Sequence, residues 1–340
     1  MRTHVLLVVL AAAVFAVVGL AGAASGSPAV ARQATQLVVF VAPRTGTVGA
    51  RLEVIDRSGH VLRVLSTAHY GTWGHWSPDK ASIAWEDPTG IYAEGAAGSN
   101  RRLLVPAASC QDCQLSFLWS PDSRSIVVGS AGTDGNQLQL VPTDGGASTV
   151  LLDSTDPKHR FTPAWWTPDG KTLVYAETRR TGIARSSLRT LMPSSGTSAT
   201  LWSTPSVNGF NAPLISPDLR YWAYAKEHDQ YHQQLRIVDK HTGHTYTVGG
   251  VNPTNLNGWS PDSTTLGITE SGGHILTVSP TGVVLHRFGP GEQFAWGRDS
   301  RELFIYRANY SQIYASENNG APQLLLRLPK NRWVVSLDAN

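Results

Sequence analysis

A short unit recurs along the chain: a bulky residue, Ser or Thr, Pro, Asp, and then an apolar strand. Trp76-Ser77-Pro78-Asp79 runs into Ser82-Ile83-Ala84-Trp85, and Trp119-Ser120-Pro121-Asp122 into Ser125-Ile126-Val127-Val128. Trp166-Thr167-Pro168-Asp169-Gly170 precedes Thr172-Leu173-Val174-Tyr175. Ile215-Ser216-Pro217-Asp218 precedes Tyr221-Trp222-Ala223-Tyr224, and Trp259-Ser260-Pro261-Asp262 precedes Thr265-Leu266-Gly267-Ile268. A degraded copy, Trp296-Gly297-Arg298-Asp299, precedes Glu302-Leu303-Phe304-Ile305. The leading residues are spaced by 43, 47, 49, 44 and 37. That period suits a four-stranded blade of a β-propeller. Composition agrees, since 32 Gly, 20 Pro and 11 Trp supply the turns and large aromatics of an all-β chain.

The unit has a physical logic. Pro presets the backbone for the second place of a type I turn, and Ser and Asp accept local backbone hydrogen bonds. Gly at the fifth place supplies a left-handed conformation, but only Gly170 stands there; Lys80, Ser123, Leu219, Ser263 and Ser300 replace it. At positive φ each would cost about 1 kcal/mol. The Trp ends the preceding strand, where its bulk can fill the wedge between twisted blades. The repeated Asp79, Asp122, Asp169, Asp218, Asp262 and Asp299 lie in separate turns, so they read as turn stabilisers rather than a shared calcium site.

Near the N-terminus, Leu37 to Val41, Leu52 to Ile55 and Val61 to Leu65 form a three-strand tail with no leading strand. At the other end, Arg332-Trp333-Val334-Val335-Ser336-Leu337 is a strand with no successor. The economical reading is ring closure, with the last strand innermost in the blade that the N-terminus begins. Counting leading positions 76, 119, 166, 215, 259, 296 and 333 predicts one propeller of seven four-stranded blades over residues 32–340. Six blades, the count of visible motifs, is the alternative. Closure removes long exposed sheet edges.

The repeat resembles that of the TolB-type propeller family, written Trp-Ser-Pro-Asp-Gly followed by a short apolar strand. The resemblance spans roughly the whole of residues 32–340. It implies a propeller and, for the type's namesake, a periplasmic protein that binds partners of an envelope complex. That namesake has six blades and an extra N-terminal α/β domain, for which this chain leaves no room between its export signal and first strand. Similar repeats form the propellers of prolyl oligopeptidase-like peptidases and of oligogalacturonate lyases.

Residues 1–31 read as an export signal. Arg2 precedes an apolar stretch to Gly22, and Ala21-Gly22-Ala23 and Ala29-Val30-Ala31 are two small-x-small cleavage sites. An uncleaved anchor is the alternative, since about 20 apolar residues can span a bilayer. Either reading places the rest of the chain outside the cytoplasm, secreted or periplasmic. There Cys110 and Cys113 read as a local disulfide, with free thiols, or a redox or metal role, as the alternatives. A formal charge of +3 with scattered basic residues argues against nucleic acid.

No Gly-x-Ser-x-Gly elbow occurs, so an acyl-transfer domain of the peptidase type is not expected. His228 and His232 precede a strand that separates them from His241 and His244 by about 20 Å, so the two pairs cannot share one ion. Solvated loop histidines are the plainer reading, and no metal or cofactor is expected. Binding is the better prospect. The loops between blades, and those between second and third strands, share one face of a propeller. His69, Tyr70, His159, Arg160, Arg179, Arg180, His228, Tyr231, His232 and Tyr310 fall there. Arg, His and Tyr suit a protein partner or a small polar or anionic ligand. The expectation is a monomeric, non-enzymatic binding scaffold. The alternative is a lyase-like propeller enzyme acting on carbohydrate or another small polar substrate at the channel mouth.

Overall fold

A computed structural model describes residues 36–339 except 44–49, 57–59, 68–73, 108–113, 133–134, 157, 180–184, 205–212, 228–232, 292, 298–299, 308–310 and 329–331. Seven four-stranded antiparallel sheets form a ring of blades. Blade 2 runs outward through Gly74–Trp76, Ser82–Asp87, Gly90–Gly95 and Arg102–Pro106. Blade 3 comprises Gln114–Trp119, Ser125–Gly132, Gly135–Pro142 and Thr149–Ser154; blade 4 comprises His159–Trp166, Leu173–Arg179, Arg185–Met192 and Thr197–Thr204. Blade 5 uses Leu214–Ile215, Tyr221–Glu227, Gln233–Asp239 and Thr245–Thr247. Blade 6 uses Pro253–Trp259, Leu266–Glu270, His274–Val278 and Val284–Pro290. Blade 7 uses Gln293–Trp296, Glu302–Arg307, Gln312–Glu317 and Gln323–Arg327.

Blade 1 is composite, as the unpaired terminal strands predict. Arg332–Ala339 lies inside Gln36–Pro43, Arg51–Asp56 and Val61–Ser66. The register corrects one detail. In blades 2, 3, 4, 6 and 7 a Trp pairs with the apolar residue seven places later, as Trp76 does with Ile83 and Trp296 with Leu303. In blade 1 the residue in that place is Ala339, opposite Leu37; Trp333 pairs with Ala42 at the far end of the strand. The strand is where the repeat count puts it, but Trp333 is not a seventh leading residue. In blade 5 the aromatic has moved one strand outward, with Ile215 leading and Trp222 opposite.

The core lies between blades, not within them. Val38, Leu52 and Val54 of blade 1 meet Trp76, Ile83 and Trp85 of blade 2. Val127 and Leu138 of blade 3 meet Phe161, Trp166, Leu173 and Tyr175 of blade 4. The ring closes where Phe304, Tyr306 and Ile313 pack on Leu37, Val39 and Val41. Three of the leading Trp residues are straps as well as wedges. Trp119, Trp259 and Trp296 donate their indole N–H to the carbonyls of His75, Leu214 and Gly258 on the preceding blade, at 3.0, 2.9 and 3.1 Å.

The turns follow the chemistry of the repeat. The Ser or Thr hydroxyl donates to the Asp Oδ1 at 2.5 to 2.6 Å in five of them, from Ser77–Asp79 to Ser260–Asp262. The residues replacing Gly do adopt positive φ: Lys80, Ser123, Leu219, Ser263 and Ser300 lie between 62° and 65°. Three of them gain something Gly lacks. The hydroxyls of Ser123, Ser263 and Ser300 accept the backbone N–H of Asp79, Asp218 and Asp262 in the preceding blade, at 2.9, 3.1 and 2.9 Å.

Candidate functional site

The strand directions put every Ser-Pro-Asp turn on one face of the ring and the inter-blade connections on the other. Of the residues expected on the connection face, His159, Arg160 and Arg179 are described. His69, Tyr70, Arg180, His228, Tyr231, His232 and Tyr310 lie outside the described residues, as do Cys110, Cys113 and Asp299.

His159 opens the innermost strand of blade 4 and Arg179 ends the second, and the register sets them opposite each other. Phe161 faces Glu177, and Tyr175 faces Arg189 on the third strand. Side chains two apart share a sheet face, so His159, Phe161, Tyr175, Glu177, Arg179 and Arg189 all point the same way. Phe161 and Tyr175 bury that face against blade 3. The polar members therefore occupy the connection end of the crevice between blades 3 and 4. Arg160, one residue on, takes the opposite face.

Glu177 is the hub. Its Oε1 lies 2.6 Å from His159 Nε2 and 3.1 Å from an Nη of Arg179, and its Oε2 lies 3.1 Å from an Nη of Arg189. His159 Nδ1 sits 3.1 Å from the Ser154 hydroxyl of blade 3. Arg189 also donates to Ser198, which meets the Tyr175 hydroxyl at 3.1 Å. Arg179 Nε approaches His159 Nε2 at 3.3 Å, but that nitrogen cannot both donate to Glu177 and accept from Arg179. The shorter, charge-assisted contact decides: Nε2 carries the proton and Glu177 accepts it.

Burial pushes the Glu177 carboxyl up, but the His159 hydrogen bond and the charges of Arg189, His159 and Arg179 outweigh it and hold the pKa below the ordinary carboxylate range. The hub is thus an anion buried under two guanidiniums and an imidazole, with a surplus of positive charge. Arg189 points inward, 30% exposed, whereas Arg179 is 59% exposed. One carboxylate thereby holds a guanidinium in place at the mouth of the crevice. Beside it, Asn136 is fully buried; its amide donates to the Asp156 carbonyl while its Oδ1 has no donor among the described residues.

Sequence reading finds His159 and Arg179 but misses Glu177 and Arg189. A signal for Glu177 exists: it follows Leu173 and Tyr175 at strand spacing, so it falls on a core-facing position. Blade 2 carries a half-buried acid whose pKa moves the other way. Glu86 pairs with Ile91 on the face toward blade 3, and burial alone pushes its carboxyl up to about 7. Among the described residues, no group of three or more His, Cys, Asp and Glu side chains is arranged to hold a metal ion.

No family model matches the chain. No curated protein matches it either. Solved structures do. An oligogalacturonate lyase in complex with manganese overlays with a TM-score of 0.57 at 14% identity, covering 86% of this chain and 85% of that one. A prolyl endopeptidase overlays with a TM-score of 0.58 at 11% identity over 88% of this chain, which spans 50% of the endopeptidase. TolB from Acinetobacter baumannii overlays less well, with a TM-score of 0.49 at 12% identity over 89% of this chain and 82% of that one. At these identities the likeness is one of fold, and the neighbours include both enzymes and a protein named as TolB. The likeness to the TolB type therefore rests on the repeat.

Proposed function

We propose that the chain is a non-enzymatic, extracytoplasmic propeller that binds an anionic ligand or an acidic segment of a protein partner at the connection face. The observation that carries this reading is Arg179: exposed, charged and braced by a buried carboxylate. Such a guanidinium loses little freedom when it closes on a carboxylate or phosphate. The extracytoplasmic part rests on the N-terminal signal. The test is capture from an envelope fraction, followed by titration of the captured species against the purified protein. Arg179→Glu is expected to weaken binding at least tenfold. Equal binding by wild type and variant sinks the reading. Mass spectrometry of the mature N-terminus tests export.

One observation favours chemistry at the same place. Ser154, His159 and Glu177 form a hydroxyl–imidazole–carboxylate line, the order in which a serine is activated. Here the serine meets Nδ1, and the imidazole bridges two blades. A fluorophosphonate probe distinguishes the readings. Labelling of Ser154 that disappears in His159→Asn establishes the enzyme; an unlabelled Ser154 leaves the line a brace for Arg179.

A further inference from the structure

The place that Glu177 takes in blade 4 is occupied in blade 7 by a cation with no counter-ion among the described residues. Each is the fourth residue after the one paired with the leading Trp, Leu173 in blade 4 and Leu303 in blade 7. Blades 2 and 6 carry Asp87 and Glu270 there, and both acids have partners: Asp87 takes the Ser66 hydroxyl at 2.6 Å, and Glu270 pairs with Arg287. Blade 7 has Arg307. Its strand neighbours Leu303 and Ile305 pack against Ile275 and Phe288 of blade 6, so Arg307 points into the crevice between blades 6 and 7.

Three features single out this arginine. Its Nε is buried, and among the described residues it has no acceptor and no carboxylate partner. Its guanidinium stacks 4.7 Å from the ring centroid of Tyr314, whose hydroxyl is tied to Gln312 at 3.1 Å. The facing residue on blade 6 is Gly289, where a Cβ would lie 3.4 Å from Arg307 Nη2. Gly289 brings no side chain against the guanidinium, where any Cβ would be in contact with it. A cation fixed by stacking, partly stripped of water and short of an acceptor, is matched by a planar or tetrahedral oxyanion.

We propose that Arg307, Tyr314 and Gly289 form an oxyanion site at the connection end of the crevice between blades 6 and 7, taking a carboxylate or phosphate group. The site is separate from the Glu177 network and does not depend on it. The probe is inorganic phosphate, compared with chloride at matched ionic strength, added to the full chain and followed by thermal melting. Phosphate is expected to raise Tm saturably in wild type and in Arg179→Glu, and at least tenfold higher phosphate to be needed in Arg307→Gln. Without phosphate, Arg307→Gln is expected to melt at or above wild type, because it removes an unpaired charge; a structural arginine would give the reverse. Gly289→Val, which keeps the charge but crowds the guanidinium, is expected to abolish the phosphate effect. An equal phosphate response in wild type and Arg307→Gln overturns the proposal, as does no response in wild type. If Arg179→Glu loses partner binding but keeps the phosphate response, the two sites stand apart; loss of both responses in Arg179→Glu overturns their independence.

Discussion

On the turn face of the ring, one set of contacts is copied from blade to blade: hydroxyl to Asp Oδ1, then serine hydroxyl to the preceding turn's backbone N–H. On the connection face, a single register position changes identity at each step. Blades 1 to 7 place Val41, Asp87, Ser130, Glu177, Lys226, Glu270 and Arg307 there. Where a contact holds the ring shut, each blade needs the same contact, and the sequence repeats. Where side chains lie at the open end of a crevice, closing the ring does not require repetition, and charges of both signs appear.

Substitutions on either side of this contrast can break it. The largest effect is expected from Trp259→Ala, which removes a fully buried wedge and its strap to Leu214. It should cost about 3 to 5 kcal/mol in a urea titration. Glu177→Gln should cost about 3 kcal/mol at neutral pH, since it strands two guanidiniums. The Glu177 pKa is lowered on folding, so its stabilisation is present above the ordinary value of about 4.3 and lost as pH falls below it. The gap between wild type and Glu177→Gln should therefore narrow in acid; a constant gap would show that the ion pairs contribute nothing.

Glu86 has the opposite sign. Its pKa is raised to about 7, so folding favours the protonated acid, and stability falls as pH climbs from about 4.3 through 7. Glu86→Gln should match wild type near pH 4 and exceed it in Tm at pH 8. A Glu86→Gln advantage that ignores pH would refute the burial argument. The smallest effects separate two kinds of positive-φ residue on the turn face. Ser263→Ala should cost about 1 to 2 kcal/mol, because the Asp218 N–H loses its acceptor while the left-handed backbone remains. Lys80→Gly should gain up to about 1 kcal/mol, since Lys80 has the same backbone with no such bond. If both changes have the same sign, the inter-blade serine bond is not what offsets the strain.

The scaffold was legible in sequence because each blade restates it: period, turn and strand recur together. The closing strand was legible as a strand but misregistered by six residues. Trp333 stands near the expected spacing, whereas pairing places Ala339 opposite Leu37. A leading strand with no turn after it carries no Ser-Pro-Asp mark to fix its phase. The Glu177 network was half legible. His159 and Arg179 stand at strand ends beside loops, where binding residues are sought. Arg189 reaches Glu177 only through cross-strand register, and a bulge between Leu188 and Arg189 shifts the neighbouring pairing. Arg307 opens a loop on the connection face, but in sequence it looks like any solvated arginine; the buried Nε, the Tyr314 ring and the glycine opposite distinguish it.

The pairing of Leu37 with Ala339 also sets the tempo of folding. It joins residues about 300 apart, and closing such a loop costs about 3 kcal/mol more chain entropy than a ten-residue hairpin. Hairpins and neighbouring blades can form from nearby stretches of chain, but the first blade waits for the last strand. A circular permutant that joins the two ends and opens the chain in a connection between other blades would make this contact local. It should reach the same ring faster.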